Sequence, residues 1–164
     1  MAETFSPLYQ IEETDWQKFK DFRIRAVSES PQAFGDTLEK INGYSNSYWI
    51  NGIKNNKVFV IDDDSKYVSG VVFVQDDDGV WSIKSLWTEP VYRGKGLAMK
   101  LPQHVLDVAK NIGVDAIKLG VNAKQTDAIK LYETLGFAEI KTISDLAKGD
   151  GSKNDLIVMR LDLE

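Results

Sequence analysis

The chain has 164 residues, of which 43% are hydrophobic and 27% charged, a composition that excludes disordered, collagen-like and low-complexity classes. It contains no cysteine, which excludes disulfides, thiolate metal sites and a cysteine nucleophile. With 25 acidic and 20 basic residues the formal charge is -5, so no general field attracts a nucleic-acid backbone, and a cationic substrate is slightly favoured.

The N-terminal segment Met-Ala-Glu-Thr-Phe lacks a basic region followed by an apolar stretch. No apolar run approaches the ~20 residues that span a bilayer. These features predict a cytoplasmic protein without a membrane segment. Neither a repeat nor a Pro- or Ser-rich linker divides the chain, so we expect a single domain over residues 1–164.

Helical periodicity comes first in the chain. A cap signal at Thr14 and Asp15 precedes apolar residues that mostly recur every three or four positions, which predicts a helix over about 15–29. The dipeptide Ser30-Pro31 ends it, because a residue before proline avoids helical dihedral angles. A second helical stretch is predicted over 37–53.

Short β-rich runs follow and then alternate with helical ones. Acidic turns separate three runs that predict antiparallel strands over 57–61, 67–74 and 80–88. Helical spacing returns over 94–112, where Pro102 should bend the helix or remove a hydrogen bond. The remainder predicts a strand over 116–121, a helix over 126–135 closed by Gly136, and strands over 137–144 and 155–163. The fold class is therefore mixed α/β.

The loop between the third β-rich run and the long helix carries the strongest chemical signal. Its sequence is Arg93-Gly94-Lys95-Gly96-Leu97-Ala98. Backbone N–H groups at a helix N-terminus lack partners within the helix and attract phosphate oxygens, and small residues let an anion approach the main chain. The loop departs from the Walker and Rossmann fingerprints. It predicts a diphosphate cradle, although a simple helix-capping turn would have a similar composition.

A second motif, Ala128-Ile129-Lys130-Leu131-Tyr132-Glu133-Thr134-Leu135-Gly136-Phe137, follows about 30 residues later. In order and spacing the two motifs resemble those of the GNAT superfamily of N-acetyltransferases, and residues 25–39 resemble a segment of many bacterial members. The resemblance implies a central mixed, mostly antiparallel sheet of about seven strands. About four helices flank this sheet, and it is splayed between strands 4 and 5.

The resemblance also implies acetyl-CoA, or coenzyme A, as co-substrate without a metal. The pantetheine arm would lie in the splay beside the main chain of strand 4, and the diphosphate on the loop. The implied cofactor-binding residues are Leu86, Trp87, Thr88, Arg93, Gly94, Lys95, Gly96, Leu97, Ala98, Gln125 and Tyr132. A primary amine of a small molecule or peptide would attack the thioester directly in a ternary complex.

Tyr132 matches the family tyrosine near the sulfur, so the resemblance implies that its phenol protonates the leaving thiolate. Alternatively, Tyr132 packs in the core and only contacts the cofactor. Two departures concern nearby positions. Gln125 stands where many members have asparagine, and Gly120 stands where some members place a basic glutamate. Glu89 beside the loop, a tyrosine, a water chain or no protein base all remain open.

Other features favour ordinary structural roles. The run Asp76-Asp77-Asp78-Gly79 fits a hairpin turn better than a calcium loop, and His104 fits helix packing or solvent exposure better than a metal site. Phe34 and Trp49 are candidate walls of the acceptor site, although core packing is the usual fate of such residues. Residues 149–152 predict a flexible loop that could border the acceptor pocket.

Two further readings of the resemblance stay open. Gly120 and the missing base favour a catalytically weak, CoA-binding regulatory module, whereas the intact Tyr132 favours an enzyme. Transfer of a longer acyl chain depends on pocket depth near Trp87. The resemblance also leaves a homodimer open, without identifying its interface.

Overall fold

The computed structural model describes residues 8–34, 36–147 and 153–163. Within them, five α-helices are α1 (Trp16–Glu29), α2 (Leu38–Gly43), α3 (Asn46–Asn55), α4 (Leu97–Ile112) and α5 (Thr126–Thr134). The strands are β1 (Tyr9–Gln10), β2 (Lys57–Asp63), β3 (Lys66–Gln75), β4 (Trp81–Thr88), β5 (Ala116–Asn122), β6 (Ala138–Ala147) and β7 (Lys153–Asp162).

The strands form one seven-stranded sheet in the order β1-β2-β3-β4-β5-β7-β6. All neighbours are antiparallel except β4 and β5, which are parallel. The sheet therefore confirms the predicted mixed, mostly antiparallel architecture, and its one parallel pair lies at the centre. The short strand β1 was not predicted from the sequence, because two residues are too few to give a periodic signal.

Helices cover the two faces of the sheet unequally. Alternate residues of β2 point to opposite faces: Val58 and Val60 pack with α1, α2 and α3, whereas Phe59 and Ile61 pack with α4. The second core continues across β5 to Tyr132 of α5. Consequently α1 to α3 cover one face of the first four strands, and α4 and α5 cover the opposite face of the sheet.

Two helices differ in detail from their predicted form. The stretch predicted as one helix over 37–53 is broken at Tyr44 and Ser45, where the Ser45 hydroxyl caps α3 by accepting a hydrogen bond from the Tyr48 N–H at 3.1 Å. The helix predicted from residue 94 begins at Leu97, because Gly94 and Gly96 have positive φ angles of 79° and 84°. That helix runs continuously through the buried Pro102.

Candidate active site

A cleft opens where β4 and β5 separate. Only two residue pairs, Trp81 with Ile117 and Ser82 with Lys118, join these strands. Beyond them the strands diverge, which confirms the predicted splay between strands 4 and 5. A cavity of about 1010 Å³ occupies the gap and extends along β5, β7 and β6. Its size suits an extended ligand arm together with a second small molecule.

Strand β4 carries a bulge on the wall of this cavity. Gly70 pairs with Trp87 and Val72 with Lys84, so Ser85 and Leu86 together stand opposite a single residue of β3. Ser85 adopts a positive φ of 60°, which is rare for a residue other than glycine. Because a bulge leaves its extra residue out of the ladder, this segment has main-chain polar groups available to a ligand.

The N-terminus of α4 forms the next part of the site. The first intrahelical bond there runs from the Lys100 N–H to the Gly96 carbonyl at 3.2 Å, so the N–H groups at 97–99 have no acceptor within the helix. An added Cβ at Gly94 or Gly96 would meet no atom within 4 Å, which means that open space faces both positions. Leu97 is 2% exposed and anchors the turn in the core.

The Arg93 side chain is directed toward α1. Its Nε donates to the Thr88 carbonyl at 2.9 Å, and its guanidinium forms an ion pair with Glu29. Glu29 Oε1 also accepts bonds from the Ser30 hydroxyl at 2.5 Å and the Trp87 indole at 3.0 Å. Burial raises the pKa of Glu29, but these donors outweigh it and hold the pKa below its ordinary value. The Arg93 side chain, at the start of the loop, is thus held in place by the Glu29 carboxylate.

Tyr132 closes the cavity from α5. It is 7% exposed, lines the cavity and packs edge-on against Phe137, with ring centroids 5.8 Å apart. Burial raises the pKa of its phenol, so the hydroxyl stays protonated at neutral pH. A buried, protonated phenol facing a cleft has the chemistry of a proton donor.

The predicted site residues divide into two groups. Those that line the cavity are Leu86, Trp87, Thr88, Arg93, Ala98, Gln125 and Tyr132. Those outside its lining are Gly94, Lys95, Gly96 and Leu97, which form the turn into α4. Gln125 makes no side-chain capping bond to α5, so its amide faces the cavity without that role. The splay therefore brings together two motifs that lie about 30 residues apart in sequence.

Neither Glu89 nor the position of Gly120 places a carboxylate in the cavity. Glu89 lies outside the cavity lining and contacts Arg25 and Lys66, each at 3.3 Å. Gly120 lines the cavity, and a Cβ added there would meet the Leu156 side chain at 3.2 Å. An apolar group thus borders the position at which the resemblance implies a glutamate in some family members.

The acidic turn, His104, Phe34 and Trp49 lie in different surroundings within the described residues. Residues 76–79 form a hairpin turn, with the Gly79 N–H donating to the Asp76 carbonyl at 2.8 Å. His104 packs edge-on against Phe59 at 4.8 Å. Phe34 lines the cavity, whereas Trp49 is 3% exposed and packs against Phe19 at 5.9 Å. Residues 149–152 lie outside the described part of the chain.

Two elements of the site escaped sequence analysis. Ser85 lies inside an uninterrupted β-rich run, and no residue type there signals a bulge. Glu29 ends a helix, and its contacts with Trp87 and Arg93 span 58 and 64 residues of sequence. The contacts of Glu29 depend on tertiary packing and have no local signal. For Ser85, the alternation of residues between the two faces of β4 is the one pattern that bears on a bulge.

Two other kinds of site are absent from the part of the chain that the structure describes. No set of three or more His, Cys, Asp or Glu side chains is grouped as a metal site in the described residues. Among the described helices, none is both long and apolar enough to cross a membrane.

Comparisons with known proteins agree on one family. Residues 8–137 match the model of the Acetyltransferase (GNAT) family. The chain is 34% identical over 80 residues to an N-acetylaspartate synthetase of Danio rerio, covering 48% of this chain and 28% of that protein. It is also 34% identical over 73 residues to the [ribosomal protein bS18]-alanine N-acetyltransferase of Escherichia coli K12, covering 44% and 49%. The matches thus span less than half of either relative.

The fold also has solved counterparts. An acetyltransferase from Salmonella typhimurium, determined with its cofactor acetyl-CoA, superimposes with a TM-score of 0.81 over 99% of this chain and 95% of that chain, at 18% identity. At this identity the likeness concerns the fold.

Proposed function

Because the chain belongs to the acetyltransferase (GNAT) family, we propose that it transfers an acetyl group from acetyl-CoA to a primary amine of a small molecule or peptide. The proposal treats residues 1–164 as one catalytic domain. The observation that carries it is the convergence on one cavity of the bulged strand β4, Ala98 in the first turn of α4, and Tyr132.

The cleft has the groups that acetyl-CoA would need. The N–H groups at 97–99 and the open space at Gly94 and Gly96 fit a diphosphate. The main chain at Leu86, Trp87 and Thr88 fits a pantetheine arm, and the amide of Gln125 can donate and accept hydrogen bonds. Bound acetyl-CoA would supply an activated acetyl thioester. Lys95 and Arg93 add positive charge near the turn, although Arg93 is held by Glu29.

The chain's own groups then account for the transfer. The amine nitrogen bonds to the thioester carbonyl carbon in a ternary complex, and the carbon–sulfur bond breaks. A main-chain N–H of the bulged segment would stabilise the developing oxyanion, a contribution worth about a hundredfold or more in rate. Tyr132 donates its proton to the leaving sulfur, the amine's surplus proton passes to solvent, and the Tyr132 phenolate takes up a proton from solvent.

Calorimetric titration with acetyl-CoA, followed by thiol release across a panel of amines, tests this proposal. We expect saturable binding and amine-dependent release of coenzyme A. Binding without turnover of any amine would favour the alternative, a catalytically weak CoA-binding module, for which the absence of a carboxylate at Gly120 is the supporting feature. A folded protein that fails to bind acetyl-CoA would contradict both. The cytoplasmic location stays a prediction, and the acyl-chain length and a homodimer stay open.

A further inference from the structure

The face of the sheet beyond the splay carries several lysines. Residues paired directly across strands project from the same face. Ser82 pairs with Lys118, and Lys84, two residues after Ser82, shares that face. Gly120 pairs with Val158, which in turn pairs with Lys141. Lys84, Lys118 and Lys141, hereafter the lysine face, therefore project to one side from β4, β5 and β6.

The lysine face belongs to the candidate active site. All three lysines line the cavity that also contains Tyr132 and the bulge at Ser85. The intervening residues of β5, Ile117, Leu119 and Val121, are buried in the core beneath α4 and α5. The lysine face is thus on the opposite side from those helices. It is accessible, because Lys141 is exposed and Lys84 is 54% exposed in its side chain.

The charges in this cavity do not cancel. Its lining includes six cationic and four anionic side chains. Three close pairs form: Arg93 with Glu29, Arg23 with Asp36 at 3.4 Å, and Lys84 with Asp76 at 2.9 Å. The remaining cations, Lys118, Lys124 and Lys141, form no ion pair within 4.0 Å among the residues that the structure describes.

Of the two remaining acidic groups in the lining, Asp127 lies in the first turn of α5, and Asp76, which contacts Lys84, is already engaged. It accepts bonds from the Ser82 hydroxyl at 2.5 Å and from Lys84 at 2.9 Å. Burial raises its pKa, but these two bonds and the fields of Lys84 and Lys118 together lower it. One carboxylate thus faces two lysines, which leaves positive charge on this wall of a protein whose formal charge is -5.

Lysines commonly protect exposed sheet edges from pairing with another chain. That role suits Lys141, since β6 is an edge strand, but it does not account for Lys84 and Lys118. These two lie on β4 and β5, which have neighbours on both sides. The ion pair with Asp76 accounts for Lys84, and a role in binding an anion accounts for Lys118 as well as for Lys141.

We propose that the acceptor amine carries an anionic group, such as a carboxylate, that binds to the lysine face. This inference rests on the acetyl transfer proposed above. Lys84 directly precedes the bulged Ser85, and Lys118 pairs with Ser82, which lies three residues, about 10 Å along the strand, before Ser85. An amine presented at the bulge would therefore direct its carboxylate along β4 toward Lys84 and Lys118. The local charge reverses the slight preference for a cationic substrate that the net charge suggests.

The test compares acceptors that differ by one charge. Steady-state kcat/KM is measured for glutamate against glutamine, for alanine against alaninamide, and for a peptide pair with Glu or Gln after the N-terminal residue. We expect the anionic member of at least one pair to be preferred about tenfold or more, since a bond to a charged group is worth that much. The faster set identifies the source, a free amino acid or an acidic peptide.

Variants connect that preference to the lysine face. Lys118→Met and Lys141→Met keep the length of the side chain and should each reduce the preference about three- to tenfold, whereas Lys118→Glu should invert it. Lys110→Met is the matched control, because Lys110 is an exposed residue of α4 outside the cavity; it should retain the wild-type preference. Equal rates for anionic and neutral acceptors in every pair would overturn the inference and leave the proposed function intact.

A binding measurement covers the case of slow turnover. With the protein saturated by coenzyme A, calorimetry compares N-acetylglutamate with N-acetylglutamine, and N-acetylalanine with N-acetylalaninamide. In at least one pair the member with the additional carboxylate should bind about tenfold more tightly, and Lys118→Met should reduce that difference. Equal affinities within both pairs would overturn the inference. Failure of the folded protein to bind acetyl-CoA would overturn the proposed function, and this inference with it.

Discussion

The Trp87 indole donates a hydrogen bond to the Glu29 carboxylate at 3.0 Å, which joins the end of α1 to the strand that carries the bulge. The same carboxylate oxygen accepts from Arg93 at the start of the loop. Trp87 is 5% exposed and packs edge-on against Phe22 at 5.4 Å. One carboxylate thus connects the helix, the bulged strand and the loop that precedes α4.

Replacing this carboxylate with an amide measures how much its charge contributes to stability. At pH 7, Glu29→Gln should reduce the free energy of unfolding by less than about 1 kcal/mol, because the Glu29 side chain is 35% exposed. The folded-state pKa lies below the ordinary value of 4.5. The contribution is therefore present above pH 4.5 and is lost as the pH falls through the folded-state pKa.

Urea denaturation of wild type and Glu29→Gln between pH 3 and pH 7 measures this effect. The two stability curves should converge at the acidic end. Glu133→Gln, at an exposed position of α5, is the control and should shift stability by no more than about 0.5 kcal/mol. A Glu29 difference that grows as the pH falls would contradict the assignment.

Alanine substitutions at Gly96 and Gly113 distinguish an effect on cofactor binding from an effect of backbone strain. Both flank α4, at φ angles of 84° and 81°, and a Cβ added at either meets no atom within 4 Å. Alanine at each position should cost about 1 kcal/mol of stability, because left-handed dihedral angles disfavour a side chain. Only Gly96→Ala should weaken acetyl-CoA binding, by about tenfold, and Gly96→Glu should abolish it by calorimetry. Equal effects of the two alanines on binding would argue against the cradle.

Tyr132→Phe tests the proton donor. We expect kcat to fall about 10²- to 10⁴-fold with a small change in thermal stability, since no hydrogen bond to the Tyr132 hydroxyl is found within the described residues. Acetyl-CoA affinity should change little. Stopped-flow thiol release and calorimetry measure the two quantities, and unchanged turnover would assign Tyr132 to packing alone.

The pH profile supplies a separate test of Tyr132. Burial raises its pKa above the ordinary value of 10.0, so the phenol keeps its proton, and its acid function, at every pH below about 10. The wild-type kcat should therefore show no loss of activity from this group between pH 7 and pH 9. A fall in that range that disappears in Tyr132→Phe would show that the phenol ionises earlier.

Ser85 lends itself to a comparison of two substitutions. Glycine accepts its φ of 60° without strain, so Ser85→Gly should keep wild-type stability and activity. Valine is disfavoured at that angle, and Ser85→Val should lose about 1–2 kcal/mol of stability and slow transfer by displacing the bulge. Chemical denaturation and steady-state rates give both readouts. If valine is tolerated in both, the bulge is not required for the reaction.

Local sequence predicted most of the secondary structure. The period of the apolar residues located α1, α4, α5 and six of the seven strands, since each buries one face over several turns or residue pairs. The break at Tyr44 and Ser45 escaped prediction, because Ser45 can occupy either a helix interior or a cap and the choice depends on packing. The turn into α4 was predicted by the glycines and cations of its own sequence.

The sequence by itself determined the elements, the turn proposed to bind a diphosphate and the resemblance that relates them to Tyr132, because each is encoded by neighbouring residues. The tertiary structure decided the bulge at Ser85, the contacts of Glu29 and the assembly of the lysine face. These depend on strand register and on pairs far apart in the chain. A shift of one residue in β5 would turn Lys118 toward the core beneath α4, and no local pattern fixes that register alone.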